Sequence, residues 1–232
     1  SRIDLSGNNT LSGAVTVGRY QVLRLLGADG NLNSASGITL NGGQIALDNT
    51  GGTNLNRLPD SGDLTVTAGG TLRFAGVRGQ TESTGNLVLS AGHMYLQTDA
   101  PAGTAGTAIL QFAGFSRSRG AVLSMLAQDG NSDIRFTGLT GMTNSGNVLG
   151  GWATSGDSNW ATYNGTDIGA LAAYQTGAET TWVATNNVSI NSTTAVTLTA
   201  SRTINTLRFN ADGGSLNLNG NTLTINAGGI LG

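Results

Sequence analysis

The sequence predicts an all-β chain, a right-handed parallel β-helix (β-solenoid) with a step of about 23–26 residues per coil and one irregular, aromatic-rich excursion. Three observations carry this reading. Gly, Thr, Asn and Ser (37, 31, 23 and 19 residues) make up almost half of the 232 positions. Alternating apolar triplets recur between glycine turns. The residue types that build helices are scarce, with two Glu and no Lys. Helical bundles and coiled coils are thereby excluded. Hydrophobic residues still reach 38% in short β-prone runs, which argues against disorder.

The triplets fall in order along the chain. Val15-Thr16-Val17 follows Ser12-Gly13, and Ile38-Thr39-Leu40 follows Ser36-Gly37. Gly42-Gly43 then leads to Ile45-Ala46-Leu47. Leu64-Thr65-Val66 is followed by Gly69-Gly70 and Leu72-Arg73-Phe74, and Leu87-Val88-Leu89 by Gly92 and Met94-Tyr95-Leu96. The first triplets start at 15, 38, 64 and 87, so the steps are 23, 26 and 23. Apolar residues two apart lie on one face of a strand. Strands this short cannot bury that face alone, whereas stacked coils make a continuous core. Glycine at the corners supplies positive φ without a Cβ penalty. An antiparallel sandwich shares the short strands, but two of its four hairpin signals (Asn41-Gly42, Asp29-Gly30, Asn164-Gly165, Asn219-Gly220) sit inside the coil pattern.

The middle of the chain loosens. Ile109 to Phe112, Val122 to Leu126 and Ile134 to Phe136 read as further rungs. Residues 141–185 break the period and hold Trp152, Trp160, Trp182, Tyr163 and Tyr174. Ala170 to Tyr174 is the one expected helical turn there. The repeat resumes at Val196-Thr197-Leu198, Leu207-Arg208-Phe209, Leu216-Asn217-Leu218, Leu223-Thr224-Ile225 and Ile230-Leu231. The whole chain is read as one solenoid domain with an excursion at 141–185, a subunit or fragment of a longer extracellular protein.

These residues resemble the bacterial autotransporter-associated β-strand repeat proteins. The matching text is Gly27-Ala28-Asp29-Gly30, Ser36 through Gly43, Leu47-Asp48-Asn49-Thr50, Asn56-Arg57-Leu58 and Gly69 to Leu72. It continues in Leu149 to Thr154, Trp160 to Tyr163, Leu198 to Arg202 and Thr206 to Phe209. The resemblance implies a secreted, surface-displayed β-solenoid passenger with no catalytic residues to carry over.

Bulk properties narrow the partners. A net charge of −2 gives no electrostatic case for nucleic acid or an anionic membrane. With no Cys there are no disulfides or thiolate metal sites. No apolar run reaches the ~18 residues of a membrane helix. Starting at Ser1, the chain reads as a mature product or an internal piece.

Chemistry-bearing residues are few. The only His, His93, sits inside a rung and reads as a wall residue. Glu82 and Glu179 are the only glutamates and lie far apart, and most Asp sit in turn contexts. No serine-nucleophile elbow is present. The expectation is a chain that is not an enzyme and has no cofactor. Asp129-Gly-Asn131-Ser-Asp133 has alternating oxygen ligands, but Ile134 and Thr140 stand where a calcium loop needs Gly and Glu, so a plain turn is expected. Trp152, Trp160, Tyr163 and Trp182 are candidate contacts for a glycan or partner, with Asp157, Asn159, Asn164 and Asp167 as hydroxyl ligands; the competing reading is a satellite core. Asn217, Asn219, Asn221 and Asn226 are candidates for amide ladders between rungs.

The functional expectation is a structural protein of the bacterial cell surface or extracellular matrix, stacking end to end into a filament or stalk. Ile3, Leu5, Ile230 and Leu231 are the candidate stacking ends, joining copies of the chain or adjoining repeats. The alternative is an adhesin that binds surface glycans through residues 152–182.

Overall fold

A computed structural model of the chain describes residues 1–102, 105–127, 130–139 and 146–232. It is a β-solenoid of stacked parallel coils, about nine turns in all. The described residues contain no α-helix; the single helical turn is a 3₁₀ turn at Glu179–Thr181. Of Ala170 to Tyr174, where a helical turn was expected, Ala170 ends the strand Ile168–Ala170 and residues 171–174 are irregular. Contacts group the chain into two compact units, Ser1–Thr140 with Gly165–Ile168, and Gly141–Asn164 with Gly169–Gly232.

In the first unit, the first face stacks Arg2–Leu5, Val22–Leu26, Gln44–Asp48, Gly70–Val77, His93–Ala102 and Val122–Ala127. The second face stacks Val15–Gly18, Ile38–Asn41, Leu64–Val66, Leu87–Leu89 and Phe115–Arg117. Thr81–Thr84, Ala108–Phe112 and Ser132–Phe136 form a third face. The strands of these faces pair in parallel. Val15 pairs with Ile38, Ile38 with Leu64 and Leu64 with Leu87, the register that the triplets implied. The step is less uniform than expected, from 20 (Arg2 to Val22) to 29 (His93 to Val122). Most of the extra residues enter at turns; one register shift falls inside His93–Ala102, between Asp99 and Ala102.

That inward set forms vertical columns. Leu23, Ile45, Leu72, Leu96 and Met125 lie in one register and are all buried. On the third face Phe112 stacks on Phe136 with ring centroids 5.0 Å apart. Each buried side chain of this kind removes apolar area from water worth about 25 cal/mol per Å².

The turns from the second face to the first each pass through a left-handed residue, and Gly70 beside Gly69 also has positive φ, 153°. The left-handed residues are Tyr20, Gly42, Gly69, Gly92 and Gly120, with φ of 63°, 82°, 82°, 82° and 89°. A residue bearing Cβ gives up roughly 1–2 kcal/mol in this conformation. At Gly69 stacking adds a second constraint, because a Cβ there would stand 2.7 Å from the His93 carbonyl oxygen.

The second unit holds a smaller three-faced stack. Asn187–Ile190, Thr206–Phe209 and Ile230–Leu231 pair in parallel, as do Val196–Thr197 with Leu216–Asn217 and Arg202–Ile204 with Leu223–Ile225. Its steps are 19 from Asn187 to Thr206 and 23 from Leu207 to Ile230. Trp182, Val188, Ile190, Leu198, Ile204 and Leu207 form its core. Beside it lies an antiparallel hairpin of Ala153–Ser155 and Asn159–Tyr163, turning through Gly156 at φ 66°.

Candidate functional site

The aromatic residues are mostly packing residues. Trp160 and Trp182 are 2% and 5% exposed, so neither ring offers a face to a sugar. The backbone N–H of Trp160 donates to the Tyr174 hydroxyl at 3.0 Å, and the Arg208 guanidinium lies 3.7 Å over the Tyr174 ring. Arg208 also donates to Asn159 Oδ1 at 2.6 Å, to the Ser158 carbonyl at 3.1 Å and to Ser189 Oγ at 3.0 Å. Trp182 Nε1 donates to the Gly177 carbonyl at 3.1 Å. Trp152 and Tyr163 are partly buried. A glycan contact using all four rings is therefore corrected to a satellite core, built because large rings gain most by leaving water. Asp167 belongs to the first unit, where it pairs with Arg135.

The asparagine ladders lie elsewhere than expected. Asn219 and Asn221 donate to the backbone carbonyl of Leu198 (3.5 and 3.1 Å), and Asn226 to that of Ala184 at 3.4 Å. Coil-to-coil side-chain bonds occur instead from Asn31 Nδ2 to Asn8 Oδ1 at 3.1 Å, Asn86 to Asp63 at 2.8 Å and Asn205 to Asn187 at 2.7 Å.

The ends of the stacked columns are exposed. Ile3 continues the column of Leu23 and Ile45, yet it is 59% exposed where Ile45 is fully buried. Ile230 continues the column of Val188 and Leu207 and is 64% exposed. Leu5 and Leu231 are half-buried beside them. Both strands are outermost in their sheets. A cavity of about 190 Å³ opens at the first end, lined by Ile3, Leu5, Leu11, Val17, Leu23 and Leu32.

Charged groups line the outer side of the first face. Asp4 lies 3.0 Å from Arg2 and 3.9 Å from Arg24, Arg24 pairs with Asp48 on the next coil, and Arg73 with Asp99 at 2.9 Å. Burial pushes the Asp48 carboxyl up, but bonds from Arg24 and Thr50 outweigh it and hold the pKa at about 2.

The sequence shows Arg57 only as part of the matching text, with no sign of its role. Arg57 is wholly buried. Its guanidinium donates to the carbonyls of Gly30 (2.5 Å), Gly27 (2.6 Å), Asp48 (2.8 Å) and Gly52 (3.0 Å), and Nε to Asn49 Oδ1 at 2.6 Å. Glu82, also buried, accepts the backbone N–H of Leu58 at 2.7 Å. The cation thus ties corners of successive coils to one another, with backbone acceptors in place of water.

His93 Nε2 lies 2.8 Å from Ser124 Oγ, and its ring is 4.0 Å from that of Tyr95. Burial pushes the His93 pKa down. Asp129 of the candidate calcium turn lies outside the described residues; Asp133 is 3.7 Å from Arg135. Among the described residues no cluster of three or more His, Asp or Glu could hold a metal, and no helix is long and apolar enough to cross a membrane. Comparison with family models, with curated proteins and with solved structures gives no match.

Proposed function

We propose that the chain is a non-enzymatic structural protein of the bacterial cell surface or extracellular matrix, whose coils stack end to end into a filament or long stalk. The observation that supports this reading most directly is the exposure of column residues at both ends. Ile3 and Ile230 occupy positions that are buried at Leu23 and Ile45 and at Leu207 and Val188 in the neighbouring coils, and the strands carrying them have an unpaired edge. Such an edge templates another strand. The occupant is a second copy of the chain, its Ile230-Leu231 strand laid on Ile3 and Leu5 of the first. The contact is heterologous and repeats without closing, which gives a filament. Secretion and the relation to autotransporter-associated repeat proteins belong to the same proposal and rest on the sequence resemblance.

Sedimentation velocity and negative-stain imaging across a wide concentration range test it. The expected outcome is association that grows with concentration and is lost in the Ile3→Asp and Ile230→Asp variants. A chain that remains monomeric at every concentration overturns the reading.

A further inference from the structure

Of the five left-handed corners between the second and first faces, four carry glycine and one carries Tyr20. A bulky residue at positive φ is an outlier, and such strain gathers where a side chain is needed in a fixed place. Burial does not offset the cost, because Tyr20 is 83% exposed. The ring instead stands at the rim of an open groove of about 640 Å³ that crosses four coils. Arg19, Tyr20, Gln44, Thr71, His93 and Tyr95 line it. Tyr95 is 45% exposed, and its ring is held against His93, which is itself anchored to Ser124 Oγ. Tyr20 and Tyr95 stand three rungs apart, about 14 Å along the stack. Between them the floor is low because it runs over the glycine corners Gly42-Gly43 and Gly69-Gly70.

The chemistry of the lining selects a class of ligand. A peptide adding as a strand needs an unpaired edge, and the floor strands Gln44–Asp48 and Gly70–Val77 are paired on both sides. Nucleic acid needs several cations, whereas Arg19 is the groove's one arginine and no carboxylate lines it. Two separated aromatic faces with amide and hydroxyl groups between them suit a chain that presents apolar ring faces and many hydroxyls. We propose that this groove binds an extended oligosaccharide whose sugars are neutral but for one uronate, stacked on Tyr20 and Tyr95, with Arg19 on the uronate carboxylate. The groove meets the end cavity at Gln21 and Val22, but Thr71, His93 and Tyr95 line it on coils beyond that cavity.

Isothermal titration calorimetry with a β-1,4-linked xylotriose carrying one glucuronate and with neutral β-1,4-linked xylotriose tests the proposal on the whole chain. The acidic sugar is expected to bind more tightly than the neutral one, and Arg19→Gln to erase that preference. Tyr95→Ala weakens binding by about tenfold or more. Tyr20→Gly gives the decisive pair of readings: affinity falls by about tenfold while the thermal midpoint rises by about 2–4 °C as strain is released. Absence of binding by either sugar at millimolar concentration, equal affinity for the two, or a Tyr20→Gly variant that binds as well as the parent overturns it.

Discussion

Glu82 accepts the backbone N–H of Arg57 at 2.9 Å, in a place where both side chains are sealed from solvent. The carboxylate bonds the arginine's main chain, while the guanidinium is satisfied by carbonyls of two other corners. Replacing Arg57 with Met would leave those buried acceptors without donors. The expected cost is roughly 3–5 kcal/mol by analogy with breaking a buried pair, read as a fall in the urea midpoint. A loss below about 1 kcal/mol would show that water enters and takes over the carbonyls.

Glu82 also sets a pH dependence. Burial pushes its pKa up from 4.5 to about 7, against the lowering effect of the Leu58 and Arg57 amides and the Arg57 charge. The folded state holds the proton more tightly than the unfolded chain. The contribution is therefore complete below pH 4.5 and is lost as pH rises through about 7. Between pH 5 and pH 8 the wild type is expected to lose on the order of 2 kcal/mol from this group. Glu82→Gln lacks that titration, so the stability difference between variant and parent should shift by this amount across the window. A difference independent of pH would refute the assignment.

Glu179 works in the opposite sense. Arg202 Nε donates to its carboxylate at 2.6 Å and Thr199 Oγ1 at 2.5 Å, and these bonds hold its pKa at about 2. Its contribution is present above the unfolded value of 4.5 and is lost as pH falls toward 2. The thermal midpoint of an Arg202→Gln variant should fall less between pH 7 and pH 3 than that of the parent. An equal fall in both would place the acid sensitivity in other carboxylates, Asp48 first.

The two glycines Gly69 and Gly120 separate two costs. Both have positive φ, but a Cβ at Gly120 meets nothing within 4 Å, while one at Gly69 meets the His93 backbone. Gly120→Ala is expected to cost about 1–2 kcal/mol. Gly69→Ala must add a shift of the neighbouring coil, so its loss should exceed that of Gly120→Ala in denaturation measurements. Equal losses would mean the coils slide apart freely.

The stacked register was legible because it depends on side-chain alternation. The starts at 15, 38, 64 and 87 are the residues that pair. The antiparallel hairpin at 153–163 was missed because its loop, Gly156-Asp157-Ser158, has three residues and is not one of the two-residue hairpin pairs. Arg57 could not be read from its surroundings, since its partners are mostly backbone carbonyls, which every sequence possesses. The asparagines were misplaced for a related reason: an amide satisfies itself on whichever carbonyl the neighbouring coil presents. Tyr20 did leave a signal, because Gly18-Arg19-Tyr20-Gln21 is a corner whose left-handed place carries no glycine.

The glycine corners also govern how a gene for such a chain can change length. Because side chains alternate with a period of two, deleting one codon inside Leu64–Val66 would turn an inward residue outward and misalign the next corner. The same deletion in the turn between Asp48 and Leu64 would leave both flanking strands in phase. Length variation is thus confined to loops or to duplication of a complete coil, and the chain lengthens in quanta.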